Sequence, residues 1–305
     1  MPRLSIIIPC FNSEKYIGKT IESVLNQIFQ DWEIVIVNDG STDNSVQEIA
    51  KFVQLDNRIK LFSIENGGVN RARNFGYSKI SPSTEYLHFL DSDDIIESNF
   101  HSELIKFLDF NPDFGAVYSD HYFIDSADKI IDLPDWGKRY LPTIFWFREE
   151  LDSMIETSKL SIALWCKMVE PMVVIRRNTF ESSRKWDTSF KYGLIGEGVV
   201  LFTEMASKRK IGYLDKKLFA YRRHSAQSSQ QNSQIKSIDL ANKILFQNRI
   251  LDKKYRFIFY RYLSFSESKQ LKHLLRYHQL KFLKKSFFVF VSYLKSLPSI
   301  FYNYK

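Results

Sequence analysis

The chain has 305 residues, is 44% hydrophobic and 15% aromatic, and carries a formal net charge of +8. That length suits a large domain with an appendage, and that composition buries a core, which excludes a disordered chain. The charge is uneven: Lys243 to Lys305 holds 14 Lys and Arg against Asp252 and Glu267, so the first 242 residues are net −4.

"LSIIIP" (4–9) is a short β-branched run ended by proline and reads as a first strand. Cut by Pro9, it lacks the pattern of a secretory leader. "SEKYIGKTIESVLNQ" (13–27) places Ile17, Ile21, Val24 and Leu25 on one helical face, with Ser13 as N-cap. "WEIVIVNDGS" (32–41) is a continuous apolar run, as expected of a parallel strand buried on both faces. "STDNSVQEIAKFV" (41–53) opens with capping residues and continues as a helix. "IKLFSI" (59–64) reads as a third strand, "GVNRARNFGYSKI" (68–80) as a third helix and "EYLHFL" (85–90) as a fourth strand. The alternation predicts an α/β, doubly wound, mostly parallel sheet flanked by helices, with ligands outside the carboxyl ends of its strands.

Beyond Asp94 the pattern loosens. Further strands are expected within 110–125 and 171–181, the second leading into a helix, while 126–165 is irregular and aromatic-rich. Domain boundaries follow: 1–225 as one catalytic-type domain with halves 1–100 and 101–225, a polar linker over 226–242, and a helical, basic, aromatic-rich region over 243–305. Cys10 and Cys166 form neither a disulfide framework nor a metal-ligand cluster, which suits a reducing, cytoplasmic setting. No run of about 18 apolar residues is present to span a bilayer.

Three polar motifs end strands: "PCFN" (9–12), "NDGSTD" (38–43) and "DSDD" (91–94). On one rim, Asp39, Asp91 and Asp93 share a crevice, and clustered carboxylates there suit a hard divalent cation whose remaining ligands are water and substrate phosphates. Each motif alone also reads as a turn with a helix cap, Asp93 or Asp94 capping a helix over 95–100. An aspartyl phosphohydrolase is disfavoured, since its motif belongs after the first strand. A sugar nucleotidyltransferase is disfavoured because "PCFNSEK" is not a glycine-rich, arginine-containing loop.

"IIIPCFNSEKYIGKTIESVLNQ", "EIVIVNDGSTDNS", "ENGGVNRARNFG" and "LDSDD", in this order and spacing, resemble the inverting glycosyltransferases of family 2, with their GT-A fold. The resemblance covers about residues 3–100 and implies a nucleotide-sugar donor, UDP-linked, and a glycan or lipid-linked acceptor in surface polysaccharide synthesis. Pro9, Phe11, Asn12 and Glu14 would line the nucleotide pocket, Asp39 would accept the uracil N–H, and Asn66, Gly67 and Arg73 would approach the nucleotide or diphosphate. The other reading of Arg73 is a surface-helix ion pair. Asp91 would contact ribose or metal-bound water, beside Ser92; Asp93, with Asp91 and His224, would hold Mn²⁺ or Mg²⁺. Asp94 reads as a supporting carboxylate, and Arg222 or Arg223 in "YRRHS" as a phosphate partner.

The family's general base sits in an "ED" pair, where this chain has Glu197 followed by Gly198. Glu197 is the expected base, Glu204 an alternative carboxylate, and a catalytically weak, donor-binding homologue the alternative function. The tail over 271–305 interleaves aromatics with Lys and Arg. It reads either as an interfacial helix on an anionic leaflet or as a subdomain packing on the protein or a second copy. No nucleic-acid motif accompanies it.

Overall fold

The computed structural model describes residues 1–132, 170–189 and 197–225. All of these belong to the first of two units, Met1–Ser237 and Ile238–Lys305. The expected linker over 226–242, the basic tail and the segment 133–169 lie outside the described residues.

Five elements alternate as expected: β1 (Leu4–Cys10), α1 (Ile17–Leu25), β2 (Trp32–Asp39), α2 (Ser45–Leu55) and β3 (Ile59–Ile64). They continue with α3 (Val69–Tyr77), β4 (Tyr86–Phe89), β5 (Ile95–Ile96), α4 (Phe100–Phe110) and β6 (Phe114–Ile124). After the undescribed segment come β7 (Val173–Arg176), α5 (Arg177–Glu181), α6 (Glu197–Lys208) and β8 (Lys210–Arg222).

One sheet runs β3-β2-β1-β4-β7-β6-β8-β5. β1, β2, β3 and β4 are parallel neighbours, with Ile7 opposite Val35 and Phe89 in register. β7 enters antiparallel between β4 and β6, and β5 pairs antiparallel with the end of β8. Every residue of β1 and β2 is buried, because helices cover both faces and the apolar runs have nowhere polar to point. α3 packs on β1 and β2 so closely that a Cβ on Gly76 would stand 2.5 Å from Ile7 Cγ2.

Two local expectations are corrected. Ile95–Ile96 is a short strand rather than the start of a helix over 95–100, because β8 offers it a ladder, and α4 begins at Phe100. α1 begins at Ile17: Ser13 is not its N-cap, and the Ser13 hydroxyl turns to Ser92 Oγ at 2.7 Å. α2 begins at Ser45, after the residues 41–44 that the sequence reads as its cap, whose backbone and side chains are bonded to Asn12 and Glu14.

A buried histidine pair joins β4 to α4. His88 Nε2 stands 2.6 Å from the Pro171 carbonyl and so carries the hydrogen; His88 Nδ1 then accepts from His101 Nε2 at 2.9 Å. Burial pushes His88 down to about 4 and His101 well below its ordinary value, with the His88 charge opposing the second protonation. Both rings are neutral core groups.

Candidate active site

The parallel pairing of β1 with β2 and β4 brings their carboxyl ends to one rim, where ligands bind in sheets of this type. At one end of the rim, β2 finishes in Asp39, 3% exposed. Its Oδ1 accepts the Gly67 N–H and its Oδ2 the Gly68 N–H, each at 2.9 Å, while Asn66 Nδ2 donates to the Asp39 carbonyl at 2.9 Å. The residue expected to read a base edge is therefore also the anchor of the "NGG" loop. Each carboxylate oxygen retains a second lone pair. Gly40 follows at φ 73, with Asn66 N 2.9 Å from where its Cβ would stand, so a side chain there is excluded on both counts.

The "PCFN" segment and the "DGSTD" loop are stitched together. Pro9 is buried in β1 opposite Val37, Phe11 is half exposed on the rim, and Asn12 adopts φ 51. Asn12 Oδ1 accepts the Thr42 N–H at 2.8 Å, and Ser41 Oγ accepts the Asn12 N–H at 3.0 Å. Glu14 Oε2 accepts the Asn44 N–H at 2.9 Å. Asp43, which the sequence did not single out, accepts from the Glu14 and Ser45 N–H groups and from Ser45 Oγ. Burial opposes its charge, but these hydrogen bonds outweigh it and hold the carboxyl below its usual range.

At the centre, Arg73 of α3 is 2% exposed and donates to Asp91 Oδ1 at 2.9 Å. Its guanidinium lies 4.3 Å from the centre of the Trp186 ring. The ion pair is thus buried on its cationic side, unlike a surface-helix pair, while the Asp91 side chain stays 31% exposed. Burial raises the Asp91 pKa, Arg73 pulls it down and Asp93 adds to the rise. Trp186 and Asp187 are held to α3 by Asn74 Nδ2 donating to the Trp186 carbonyl at 2.7 Å and Asn70 Nδ2 to the Asp187 carbonyl at 2.8 Å.

At the far end, Asp93 Oδ2 and His224 Nε2 are 2.8 Å apart, with side chains 22% and 12% exposed. His224 packs against Tyr16 at 4.7 Å between ring centres. A cavity of about 390 Å³ opens beside them, lined by Lys15, Tyr16, Ser126, His224 and Ser225. Ser92 is buried and bonded to Ser13. Asp94 is buried too: Oδ1 accepts the Arg222 N–H at 2.8 Å, and Oδ2 makes no hydrogen bond among the described residues. Burial, then the charges of Asp93 and Asp91, push its carboxyl well above the usual range. Arg222 is wholly buried and paired with Asp128, which corrects its reading as a phosphate partner.

Glu197 is the first residue of α6, followed by the buried Gly198; the Glu197 side chain lies outside the described residues. Glu204 is engaged elsewhere, with Arg184 at 3.1 Å and Lys208 at 3.0 Å. Burial works against its charge, but these partners hold it below the usual carboxylate range, which makes it a poor general base. Among the described residues no three His, Cys, Asp or Glu side chains form a complete cation site. The Asp93 carboxylate and the His224 imidazole, 2.8 Å apart, still make a partial donor pair, which fits a cation held largely by a ligand's phosphates. Tyr16 escaped the sequence reading because it reads locally as core.

The family model for glycosyl transferase family 2 matches residues 5–158. Glycosyltransferase GlyA of Streptococcus pneumoniae serotype 4 is 29% identical over 226 residues, 72% of this chain and 30% of that protein. Minor teichoic acid biosynthesis protein GgaA of Bacillus subtilis is 43% identical over 108 residues, 34% of this chain and 24% of that protein. The chain therefore spans less than a third of the length of either. Among solved structures, S. aureus TarS 1–349 in complex with UDP-GlcNAc superimposes with a TM-score of 0.63 at 21% identity, covering 87% of this chain and 72% of that one. That likeness establishes the GT-A-like fold.

Proposed function

This chain belongs to glycosyltransferase family 2, and from that premise we propose that it moves a sugar from a UDP-sugar donor to a hydroxyl of a glycan or lipid-linked acceptor, with inversion, in surface polymer synthesis. The observation that carries this reading is the graded rim: an anchored glycine loop at Asp39, a buried cation at Arg73–Asp91, and the Asp93–His224 pair. TarS is described in complex with UDP-GlcNAc and GgaA by its part in teichoic acid synthesis; both support the donor and polymer classes.

Each part of the rim has a task. Asp39 and the exposed face of Phe11 receive the uracil, one by a hydrogen bond and the other by stacking. Arg73 offsets part of the burial penalty on the Asp91 carboxylate where the ribose and diphosphate pass, because the buried guanidinium replaces some of its lost hydration. Asp93 and His224, with Asp91, would hold Mn²⁺ or Mg²⁺, which offsets charge collecting on the departing diphosphate when bound. Glu197, opening α6, takes the proton from the acceptor hydroxyl as general base. The tail over 271–305 adds contact with an anionic membrane face or with a second copy, and the protein works on the cytoplasmic side.

Thermal-shift measurements with UDP and UDP-sugars, with and without Mn²⁺, test the reading. Stabilisation that needs nucleotide and cation together is expected, with donor consumed by the wild type and not by Glu197→Gln. Nucleotide binding without donor turnover on any acceptor would favour the catalytically weak homologue, to which the Gly198 substitution for the family's aspartate points.

A further inference from the structure

We propose that Asp128 is a positioning residue for this crevice: through Arg222 it sets the end of β8 so that His224 meets Asp93. The proposal rests on the reading of Asp93 and His224 as the diphosphate end of the site. Residues 125–129 form the turn after β6, closed by Asp125 N–H to the Lys129 carbonyl at 2.9 Å and by the Asp125 carboxylate, which accepts from the Ala127 and Lys129 N–H groups. Asp128 sits in this turn at φ 66, a left-handed conformation sparsely used by residues with a side chain. Asparagine or glycine would make the turn as well. The carboxylate adds something the turn itself does not require: it meets two cations from separate elements, Lys19 of α1 and Arg222 of β8.

Arg222 spreads from there across the site. Its Nε donates to the Asp93 carbonyl at 2.6 Å, its Nη1 to the Asp125 carbonyl at 3.0 Å, and its backbone N–H to the Asp94 carboxyl at 2.8 Å. The guanidinium carbon lies 4.8 Å from the Tyr16 ring centre, Tyr16 lies against His224, and His224 reaches Asp93. A planar fork of donors holds several acceptors at fixed angles, which a lysine cannot do. A continuous run of contacts therefore joins Asp128 to His224, two residues beyond Arg222.

Asp128→Gly removes the carboxylate while tolerating the left-handed backbone, and Asp128→Asn keeps the shape and one acceptor. The His224 ring signal in ¹H–¹⁵N spectra is assigned by its loss in His224→Gln. In Asp128→Gly it should move toward its position in Asp93→Asn, and in Asp128→Asn by a smaller step in the same direction. By calorimetry, Asp128→Gly should weaken UDP binding at saturating Mn²⁺ about tenfold and leave metal-free UDP affinity unchanged. A purely structural role would lower both affinities together. An unmoved His224 signal in both variants, or equal loss of both affinities, overturns the proposal. If wild-type protein binds UDP no tighter with Mn²⁺ than without, the diphosphate reading fails instead, and the His224 signal alone decides the role of Asp128.

Discussion

Replacing Asp39 by asparagine changes one atom at the base of the crevice and tests what that carboxylate is for. In the wild type both oxygens accept consecutive backbone N–H groups, from Gly67 and Gly68, at 2.9 Å. An asparagine amide keeps one acceptor and turns an NH₂ donor toward the other N–H. One charge-assisted bond is lost and a backbone donor is left facing a donor, at a site 3% exposed. Together these cost about 2–3 kcal/mol, the range for a hydrogen bond to a charged group whose partner is stranded. In a domain of this size, that lowers Tm by roughly 5–10 °C. Urea unfolding followed by circular dichroism measures the loss as a lower midpoint at unchanged slope. UDP affinity, measured in parallel, should fall as well, because Gly68 opens α3 and α3 carries Arg73. An unchanged urea midpoint would refute the anchoring role. Loss of UDP affinity at full stability would leave base recognition as the whole task of Asp39.

Other expectations concern the far end of the rim, the core and the tail. Asp93→Ala should abolish Mn²⁺-dependent stabilisation by UDP while the unfolding temperature without ligand stays within a few degrees; retained metal dependence would remove Asp93 from the site. His88 is held near pKa 4 when folded against about 6.5 unfolded, so the unfolded chain binds more protons between those values. Stability is then complete above pH 6.5 and lost as pH falls toward 4, by about 3 kcal/mol for this group. His88→Gln should remove that part of the acid slope in urea titrations across the window, and a slope equal to wild type would contradict it. Deleting residues after Lys243 should abolish co-sedimentation with anionic vesicles if the tail is interfacial; unchanged sedimentation would favour its packing on protein.

Much of the architecture was readable residue by residue. The apolar runs of β1 and β2 and the periodic faces of α1 and α3 are local patterns, and parallel strands linked by helices leave all their carboxyl ends on one side. It followed from the sequence alone that "PCFN", "NDGSTD" and "DSDD" share a rim. The resemblance carried by the same motifs pointed to the family. The sequence also marked a departure from the family's pattern, Gly198 beside Glu197.

Other features depended on segments far apart in the chain. A carboxylate can be satisfied by water, backbone N–H, a guanidinium or a cation, and no local pattern distinguishes these. Only the packed molecule turned Asp39 onto the glycine loop, Asp91 onto a buried Arg73 roofed by Trp186, and Asp94 onto the backbone of Arg222. It likewise made Ile95–Ile96 a strand, because β8 lay alongside. His224 found Asp93 across 131 residues of sequence, a pairing set by the end of β8. Composition and periodicity determine which surfaces must be buried. Which buried polar group meets which partner is decided by the tertiary packing, since each has several chemically adequate choices and only geometry selects among them.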